Sequence, residues 1–253
     1  MLKRCEIGPW GKRRAPVPQR EQLEDGIRAP FRCAFPTSLV EVHRVQDITE
    51  DQVEPAIQML RENFTRDEPP CKYIEINKHP TAVAELVKLW SDTIKHKMSV
   101  VCVEDKEDHP QMVGVNVLTV ICKEDKEEPF HTEDPVWAQL FGAVELVSNS
   151  VDVFSHYGVD KYLTAYGLVV AKGWRGLKIG AEILRARVPL CKAFGIKATV
   201  TVFTAAASQA VATKAGFEDL HETTYEELAK KGCVFPGIER DTKSSKLMGL
   251  AID

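Results

Sequence analysis

The segment over residues 167–217 constrains the fold more than any other part of the sequence. An apolar, β-branched run over residues 162–171 predicts a buried strand, and a second such run over residues 197–203 predicts another. A helix-length apolar pattern lies between them and ends at Gly195, a residue type typical of helix C-termini. A short helix ending at Gly216 completes the unit. Strand, helix and strand in this order predict two parallel neighbours joined by a right-handed crossover.

The loop between the first of these strands and the helix carries small and basic residues. It runs from Arg175 through Lys178 to Gly180 and Ala181, and it brings backbone N–H groups and a helix N-terminus to one spot. Such a spot suits a phosphate group. The sequence has no Gly-x-Gly-x-x-Gly and no Gly-Lys-Ser/Thr, which disfavours a plain nucleotide-binding protein.

Composition excludes several classes of function. A length of 253 residues fits one large α/β domain or two small ones, and a net charge of −4 gives no general attraction to nucleic acid or to an anionic membrane. The longest apolar runs are strand-sized, so no transmembrane helix is predicted. The seven cysteines are scattered and the seven histidines form no ligand pattern, so we expect neither disulfides nor a metal site. These features favour a cytoplasmic protein without nucleic-acid or membrane partners.

Residues 1–37 differ from the remainder of the chain. They hold five of the fourteen prolines, eight Lys or Arg and four Asp or Glu, so that their local charge is +4. Proline spacing without periodicity predicts an extended N-terminal arm rather than a domain. A basic arm for an anionic partner is the weaker interpretation. The prediction is therefore an arm over residues 1–37 and a single domain over residues 38–253.

The sequence between the arm and the central unit predicts further strands and helices. A first strand covers residues 39–45, and two capping boxes, Thr49 with Gln52 and Asp51 with Glu54, compete to begin the helix that follows. Pro55 favours the later start, because proline is tolerated only in the first turn. Patterns also predict helices over 81–98 and 136–154 and a hairpin of 99–104 with 111–122. Residues 218–228 predict a strand that runs into a turn, and residues 245–252 predict a last strand.

Two distant segments resemble one protein family. Arg175-x-x-Lys178-x-Gly180-Ala181, five residues after Val170, is similar to the acyl-CoA pyrophosphate loop of the GNAT acetyltransferases, usually Arg/Gln-x-x-Gly-x-Gly/Ala. The sequence from Lys214 to Phe217 looks like the Lys-x-Gly-Phe that closes the next helix of that superfamily. The octet 63–70 resembles the Asp-Glu-Pro segment of the insect arylalkylamine N-acetyltransferases, a GNAT branch.

The resemblance implies an α/β fold of the GNAT type and a cosubstrate. We expect a mixed, mostly antiparallel central sheet of about seven strands, with helices on both faces and a splayed parallel strand pair at the acyl-CoA site. Acetyl-CoA would be the cosubstrate, without a metal. The residues implied to hold it are Leu168, Val169, Val170, Arg175, Gly176, Leu177, Lys178, Ile179, Gly180, Ala181 and Lys214.

The resemblance also assigns catalytic roles. Glu68, the glutamate of Asp-Glu-Pro, would serve as the catalytic base. Many GNAT enzymes place a tyrosine at the position of Ala212 to protonate the departing thiolate, and the insect branch instead has two hydroxyls that map onto Thr204 and Ser208. Both hydroxyls have an alternative role as caps of the helix that begins near Ala206, because serine and threonine commonly cap helices. Ser208 is the better catalytic candidate of the two.

Two questions stay open at this stage. If Lys178, which replaces the usual glycine, needs a positive φ, it costs about 1 kcal/mol; if φ is ordinary, it adds a cation beside the phosphates. The leading function is an N-acetyltransferase for a small arylalkylamine such as dopamine, tyramine or serotonin, acting as a monomer. A polyamine or agmatine acceptor and a non-catalytic acyl-CoA-binding protein are the alternatives.

Overall fold

One eight-stranded sheet organises the described part of the chain. The computed structural model describes residues 12–14, 32–36, 42–106, 108–125, 127–129 and 132–253. The strand order in the sheet is β2-β3-β4-β5-β7-β8-β10-β9, and β1 pairs with β6 in a separate two-stranded sheet. The strands are β1 (Lys12–Arg14), β2 (Arg32–Pro36), β3 (Val42–Asp47), β4 (Val100–Glu104), β5 (Met112–Cys122), β6 (Glu127–Pro129), β7 (Lys161–Val170), β8 (Ala198–Phe203), β9 (Glu218–Thr224) and β10 (Ser244–Ala251).

Helices cover both faces of this sheet, as expected. They are α1 (Glu50–Met59), α2 (Thr65–Asp67), α3 (Pro69–Tyr73), α4 (Pro80–Ile94), α5 (Pro135–Ser148), α6 (Val153–Tyr157), α7 (Ile179–Arg185), α8 (Arg187–Ala193), α9 (Ala206–Lys214) and α10 (Tyr225–Lys230). None of the helices in the described residues is long and apolar enough to cross a membrane.

Strand alternation divides the core into two main layers. Val101 and Val103 of β4 face a cluster that includes Trp90 of α4 and Phe141 of α5. Val100 and Cys102, the alternate residues of the same strand, face the cluster that contains Ile183 of α7 and Leu190 of α8. Because successive side chains of a strand point to opposite faces, one apolar run supplies both layers.

The N-terminal boundary differs from the prediction. Arg32–Pro36 pairs antiparallel with β3 along its whole length, from Arg32 opposite Gln46 to Pro36 opposite Val42. Phe35 is only 8% exposed and joins the core layer under α7 and α8. This strand raises the main sheet from about seven strands to eight. The predicted strand residues 39–41 lie outside the described residues, as does most of the predicted arm.

The start of α1 corrects a second prediction. The helix begins at Glu50, with Thr49 as N-cap and the Thr49 N–H donating to Gln52 Oε1 at 3.2 Å, so the later start is wrong. Pro55 therefore lies inside the helix and lacks one backbone hydrogen bond. The hydrogen bond from Thr49 N to the Gln52 side chain and the buried Ala56 and Ile57 offset that loss.

Two predicted long helices are each split. The pattern over 136–154 forms α5 and α6, and the second begins at its own cap, where Asp152 accepts a hydrogen bond from Ser155 N. The helix after the basic loop is interrupted at Ala186 into α7 and α8. Pro189 explains this break, because its ring cannot accommodate the carbonyl of the residue four positions earlier, Arg185.

The parallel pair in the middle of the sheet separates soon after it forms. One pair of residues, Leu163 with Thr199, joins β7 to β8, although β7 continues to Val170 and β8 to Phe203. The pairing of β7 with β5 shifts register between Val117 and Leu118, which is a β-bulge. The expected splayed pair is thus present.

Side chains replace the missing strand partner at the bulge. The Trp90 indole donates to the carbonyl of Tyr166 at 3.0 Å, and Asn116 Nδ2 donates to the carbonyl of Gly167 at 2.8 Å. Gly167 has no side chain, and a Cβ there would lie 3.3 Å from Trp90 Nε1. Since buried carbonyls need a donor, these two side chains allow β7 to leave β8.

We predict that Trp90→Phe destabilises the protein. The aromatic ring stays in place, but the Tyr166 carbonyl loses its donor in a site where Trp90 is 0% exposed. Loss of one partner of a buried hydrogen bond should lower the free energy of unfolding by about 1–3 kcal/mol. Urea denaturation followed by circular dichroism measures this change. An unchanged unfolding free energy would show that the Tyr166 carbonyl does not depend on the indole.

Candidate active site

A cavity among the described residues opens where β7 and β8 part. It has a volume of about 560 Å³ and reaches from the loop before α7 to the apolar surfaces of α4 and α5. The carboxylates that line it among the described residues are Asp67 and Glu68. Its cations are Arg175, Lys178, Arg187 and Lys214.

Local backbone chemistry fixes Glu68 at the wall of this cavity. The chain stays helical from Glu50 to Asp67, with a π-helical segment over Leu60–Phe64, and Glu68 then turns extended with φ −71° and ψ 124°. π-Helical segments inside helices occur frequently at functional sites. Pro69 and Pro70, which have no N–H, occupy the first two positions of α3, so that the first free N–H of this short helix belongs to Cys71.

Both oxygens of the Glu68 carboxylate hold a hydrogen bond. Oε2 accepts from Cys71 N at 2.7 Å, and Oε1 accepts from Thr204 Oγ1 at 2.6 Å. Burial raises the pKa of Glu68 above its ordinary value, and the hydrogen bonds from Thr204 and Cys71 oppose that rise. No cation of the described residues pairs with this carboxylate, which suits a group that accepts protons near neutral pH.

The two predicted hydroxyls have different partners. Thr204 binds Glu68 instead of capping α9, so the capping alternative for Thr204 is wrong. Ser208 lies in the first turn of α9, where its hydroxyl donates to Ala205 O at 2.9 Å and accepts from Ala205 N at 3.4 Å. Both residues line the cavity. Only the threonine is in hydrogen-bond contact with the carboxylate.

Tyr225 supports this arrangement, and the sequence analysis did not identify it. Its hydroxyl donates to the carbonyl of Thr204 at 2.7 Å. Burial raises the pKa of Tyr225 well above its ordinary value, and the neighbouring Glu68 carboxylate adds to the rise. The tyrosine therefore stays protonated and remains a donor. No local pattern around residue 225 indicates this contact, which joins the start of α10 to the end of β8.

The basic loop has the geometry of an anion site. The N–H groups of residues 176–180 donate to no acceptor in the part of the chain that the structure describes. Gly176 has φ +86° and Lys178 has φ +64°, so the loop contains two left-handed residues. This answers the question about Lys178: the lysine occupies a backbone conformation that favours glycine, and it also places a cation at the cavity. Five free N–H groups beside a helix start fit a diphosphate.

Arg175 is engaged by protein groups. Its Nε donates to the carbonyl of Val170 at 3.0 Å, and its Nη2 pairs with Asp67 Oδ2 at 2.6 Å. Asp67 also binds Arg66, and these hydrogen bonds hold the pKa of Asp67 at about 2. The ion pair links the loop to the residue before Glu68, across 108 positions of sequence. A phosphate at the loop would therefore share Arg175 with Asp67.

Most of the other predicted cosubstrate residues lie on the same cavity. Leu168, Val169 and Val170 form its β7 wall, and Lys214 lies at its edge on α9. The remaining loop residues that line it are Gly176, Lys178, Ile179, Gly180 and Ala181. Leu177 is the exception, since it is absent from the cavity wall and packs against the core under α7 and α8.

The opposite end of the cavity is apolar. Phe64 meets Trp90 edge to face at 5.5 Å between ring centroids, and Trp137 lies 5.3 Å from Phe141. The rings of Phe64, Trp137 and Phe141 share the wall with leucines of α4 and α5: Leu86, Leu89 and Leu140. A flat apolar ligand fits such a surface.

Comparison with solved structures decides the family. The chain is 35% identical to the protein called arylalkylamine N-acetyltransferase 7 from the yellow fever mosquito, with a TM-score of 0.82 over 91% of this chain and 98% of the mosquito chain. The chain belongs to the insect arylalkylamine N-acetyltransferase-like family. It therefore has the GNAT fold and is an acyltransferase. No protein-family profile and no curated protein matches the sequence.

Two further structures share the fold of this arylalkylamine N-acetyltransferase-like chain. Arylalkylamine N-acetyltransferase 2 from Aedes aegypti is 19% identical, with a TM-score of 0.69 over 83% of this chain and 99% of the other. A polyamine N-acetyltransferase of Drosophila melanogaster, which forms N-acetylagmatine, is 13% identical, with a TM-score of 0.65 over 83% of this chain and all of the other. At these identities the likeness concerns the fold alone.

We predict that Lys178→Gly stabilises the fold. A lysine at φ +64° carries a steric cost that glycine avoids, so the free energy of unfolding should rise by about 1 kcal/mol. Lys172→Gly is the matched control, because this exposed lysine lies in the same loop without a positive φ and glycine there should only add unfolded-state entropy. Chemical denaturation of both variants measures the difference. Equal destabilisation by Lys178→Gly and Lys172→Gly would contradict a steric cost at Lys178.

Proposed function

We propose that this protein is an acetyl-CoA-dependent N-acetyltransferase that moves an acetyl group to the primary amine of a small arylalkylamine. One observation carries the proposal. The carboxylate of Glu68, which has no cationic partner among the described residues, lies between two parts of one cavity. One part is the wedge, the gap between β7 and β8 that ends at the free N–H groups of residues 176–180, and the other is an aromatic pocket. The wedge suits a CoA thioester and the pocket suits an aryl group.

The amine must lose a proton before it can attack the thioester, and this deprotonation costs free energy at neutral pH. A primary alkylamine has a pKa of about 10, so only about one molecule in a thousand is neutral at pH 7, which corresponds to about 4 kcal/mol. Glu68 accepts the ammonium proton, directly or through one water. Its raised pKa brings the carboxylate closer to the amine in proton affinity than an exposed glutamate would be.

The thioester is held and polarised by backbone. Acetyl-CoA supplies the activated acetyl group. The loop N–H groups of residues 176–180, with Lys178 and Arg175, bind the diphosphate, and the free edge of β7 at Leu168 and Val170 binds the pantetheine arm and stabilises the developing oxyanion. The hydroxyl of Ser208, which lines the cavity, supplies a proton to the departing thiolate.

The charges at the cavity favour an aryl acceptor over a polyamine. A second cation, as in agmatine or spermidine, needs its own carboxylate in a partly desolvated pocket. Among the described lining residues the carboxylates are Asp67 and Glu68, and Asp67 already binds two arginines. The rings of Phe64, Trp137 and Phe141 offer an apolar surface instead. A non-catalytic acyl-CoA-binding role would leave the buried Glu68–Thr204 pair without a use.

Mass-spectrometric detection of N-acetylated product tests the function. The pure protein is incubated with acetyl-CoA and a mixture of tyramine, dopamine, serotonin, histamine, agmatine and spermidine. An acetylated arylalkylamine is the expected result. Acetylated agmatine or spermidine would transfer the proposal to the polyamine class, and acetyl-CoA binding without any product would support the non-catalytic alternative.

Glu68→Gln tests the base. The amide keeps the shape and the hydrogen-bond acceptor but cannot take a proton, so kcat should fall by about 10²–10⁴-fold at pH 7. Because Glu68 is the N-cap of α3 and does not belong to the basic loop of residues 175–180, the affinity for acetyl-CoA should stay close to that of the wild type. Steady-state kinetics and calorimetric titration with CoA give the two values. Unchanged turnover would remove Glu68 from the mechanism.

Thr204→Val tests the control of the Glu68 pKa. The threonine hydroxyl lowers that pKa, so its removal should raise it further. A base with a higher pKa becomes protonated at higher pH, and the acid limb of kcat/KM should therefore move to higher pH. A pH profile of kcat/KM measures the shift. Ser208→Ala is the control: its hydroxyl binds Ala205 instead of Glu68, so the position of the acid limb should not move. An acid limb that moves equally in both variants would contradict the assignment.

A further inference from the structure

A buried arginine occupies the narrow end of the wedge between β7 and β8. Arg187, the first residue of α8, is 1% exposed and lines the cavity. Its Nε donates to Asn116 Oδ1 at 3.0 Å, and its Nη1 donates to Thr201 Oγ1 at 2.8 Å and to Thr199 Oγ1 at 3.4 Å. Its guanidinium carbon lies 5.7 Å from the centre of the Phe217 ring. These contacts fix the side chain in one place.

The guanidinium is a cation without an anion. Its partners within the described residues are an amide, two hydroxyls and an aromatic ring. Its Nη2 makes no hydrogen bond to any described residue. Burial lowers the pKa of Arg187 to about 9, which still leaves the group charged at neutral pH. A desolvated charge of this kind opposes the approach of anything that cannot hydrogen-bond to it.

The position of Arg187 along the wedge determines which part of a bound thioester would face its charge. Thr199, its contact at 3.4 Å, is the β8 residue that pairs with Leu163, and Thr201, its contact at 2.8 Å, lies two residues further along β8. Arg187 therefore lies just beyond the last paired position of the two strands. The basic loop, residues 175–180, lies at the other, open end, after Val170. A thioester arm that enters from the loop along β7 therefore points its acyl group towards Arg187. Between Gly167 and Leu163 the strand rises only about 13 Å.

We propose that Arg187 determines acyl specificity by closing the wedge to acyl chains longer than acetyl. This inference rests on the proposed function and adds the acyl class that the site accepts. An acetyl group ends before the guanidinium. A longer aliphatic chain must cover the charge with methylene groups or displace a side chain held by three hydrogen bonds. Both alternatives are unfavourable, so the preference of the enzyme for acetyl-CoA over another acyl-CoA should increase with the length of the acyl chain.

Acyl-chain competition tests this role. Values of kcat/KM are measured for acetyl-CoA, hexanoyl-CoA and succinyl-CoA with one accepted amine, using the wild type, Arg187→Met and Lys192→Met. Methionine is apolar and flexible, and replacing an unpaired buried charge by an apolar side chain is tolerated in many proteins. Lys192→Met is the matched control, since this lysine is an exposed cation on the same helix.

The expected result is a change in acyl preference. The wild type should favour acetyl-CoA, and Arg187→Met should raise the hexanoyl-to-acetyl ratio of kcat/KM by about tenfold or more, mainly through a lower KM for hexanoyl-CoA. Lys192→Met should keep the wild-type ratio. An unchanged ratio in Arg187→Met would overturn the proposal, and so would a wild type that prefers succinyl-CoA, because the charge would then recruit an anionic acyl group.

Two further measurements keep the test decisive. If Arg187→Met does not fold, as judged by circular dichroism, Arg187→Gln replaces it, because glutamine is neutral and can still donate to the threonine hydroxyls. If the wild type acetylates no amine at all, the proposed function fails, but the acyl inference is still tested by calorimetric affinities for the same three thioesters. Tighter binding of acetyl-CoA than hexanoyl-CoA, reversed in the variant, would support it. Equal affinities would overturn it.

Discussion

The cavity depends on how two carbonyls of β7 are satisfied after the strand leaves its parallel neighbour. Trp90 reaches the Tyr166 carbonyl from the α4 face of the sheet, and Asn116 reaches the Gly167 carbonyl. Arg187 in turn donates to the oxygen of the Asn116 amide, which turns the NH₂ group towards Gly167. A buried backbone carbonyl without a donor costs about 1–3 kcal/mol. Three side chains from three elements therefore hold the wedge open, and the wedge is the precondition for everything else at the site.

The second constraint is the environment of one carboxylate. Glu68 and Thr204 are 136 residues apart, and their hydrogen bond joins the helical run before α3 to the end of β8. Burial raises the pKa of Glu68 and this hydrogen bond lowers it, so the balance between them sets the pH at which the carboxylate loses its proton. Tyr225 donates to the Thr204 carbonyl and thereby holds the threonine whose hydroxyl lowers this pKa. The resulting pKa belongs to the assembled fold and not to the Asp-Glu-Pro segment.

Sequence reasoning succeeded where the controlling interactions are local or repeat along the chain. The strand–loop–helix–strand unit follows from periodicity, and the Asp-Glu-Pro segment and the basic loop identify the family that the comparison with solved structures confirms. It failed where distant residues decide. The helix begins after its cap at Thr49, although Pro55 predicts a later start. The burial of Phe35 stabilises a strand in a segment whose prolines predict an extended arm. Arg187 carries no local pattern at all, because a lone arginine in a helix is normally a surface residue and only the Asn116 and Thr201 contacts reveal its burial.

In the proposed function, the charges along the cavity orient the two substrates. Free N–H groups and the cations Arg175, Lys178 and Lys214 stand at the open end, where an anion is stabilised. Arg187 at the inner end has no anionic partner among the described residues, so its charge would repel an ammonium group. Of the carboxylates that line the described cavity, Glu68 alone has no cationic partner, so an amine gains most by approaching there, past the aromatic surface. In the proposed reaction, the diphosphate of acetyl-CoA and the amine are thereby directed to opposite sides of the thioester, so that the amine reaches the acyl carbon from the side of Glu68.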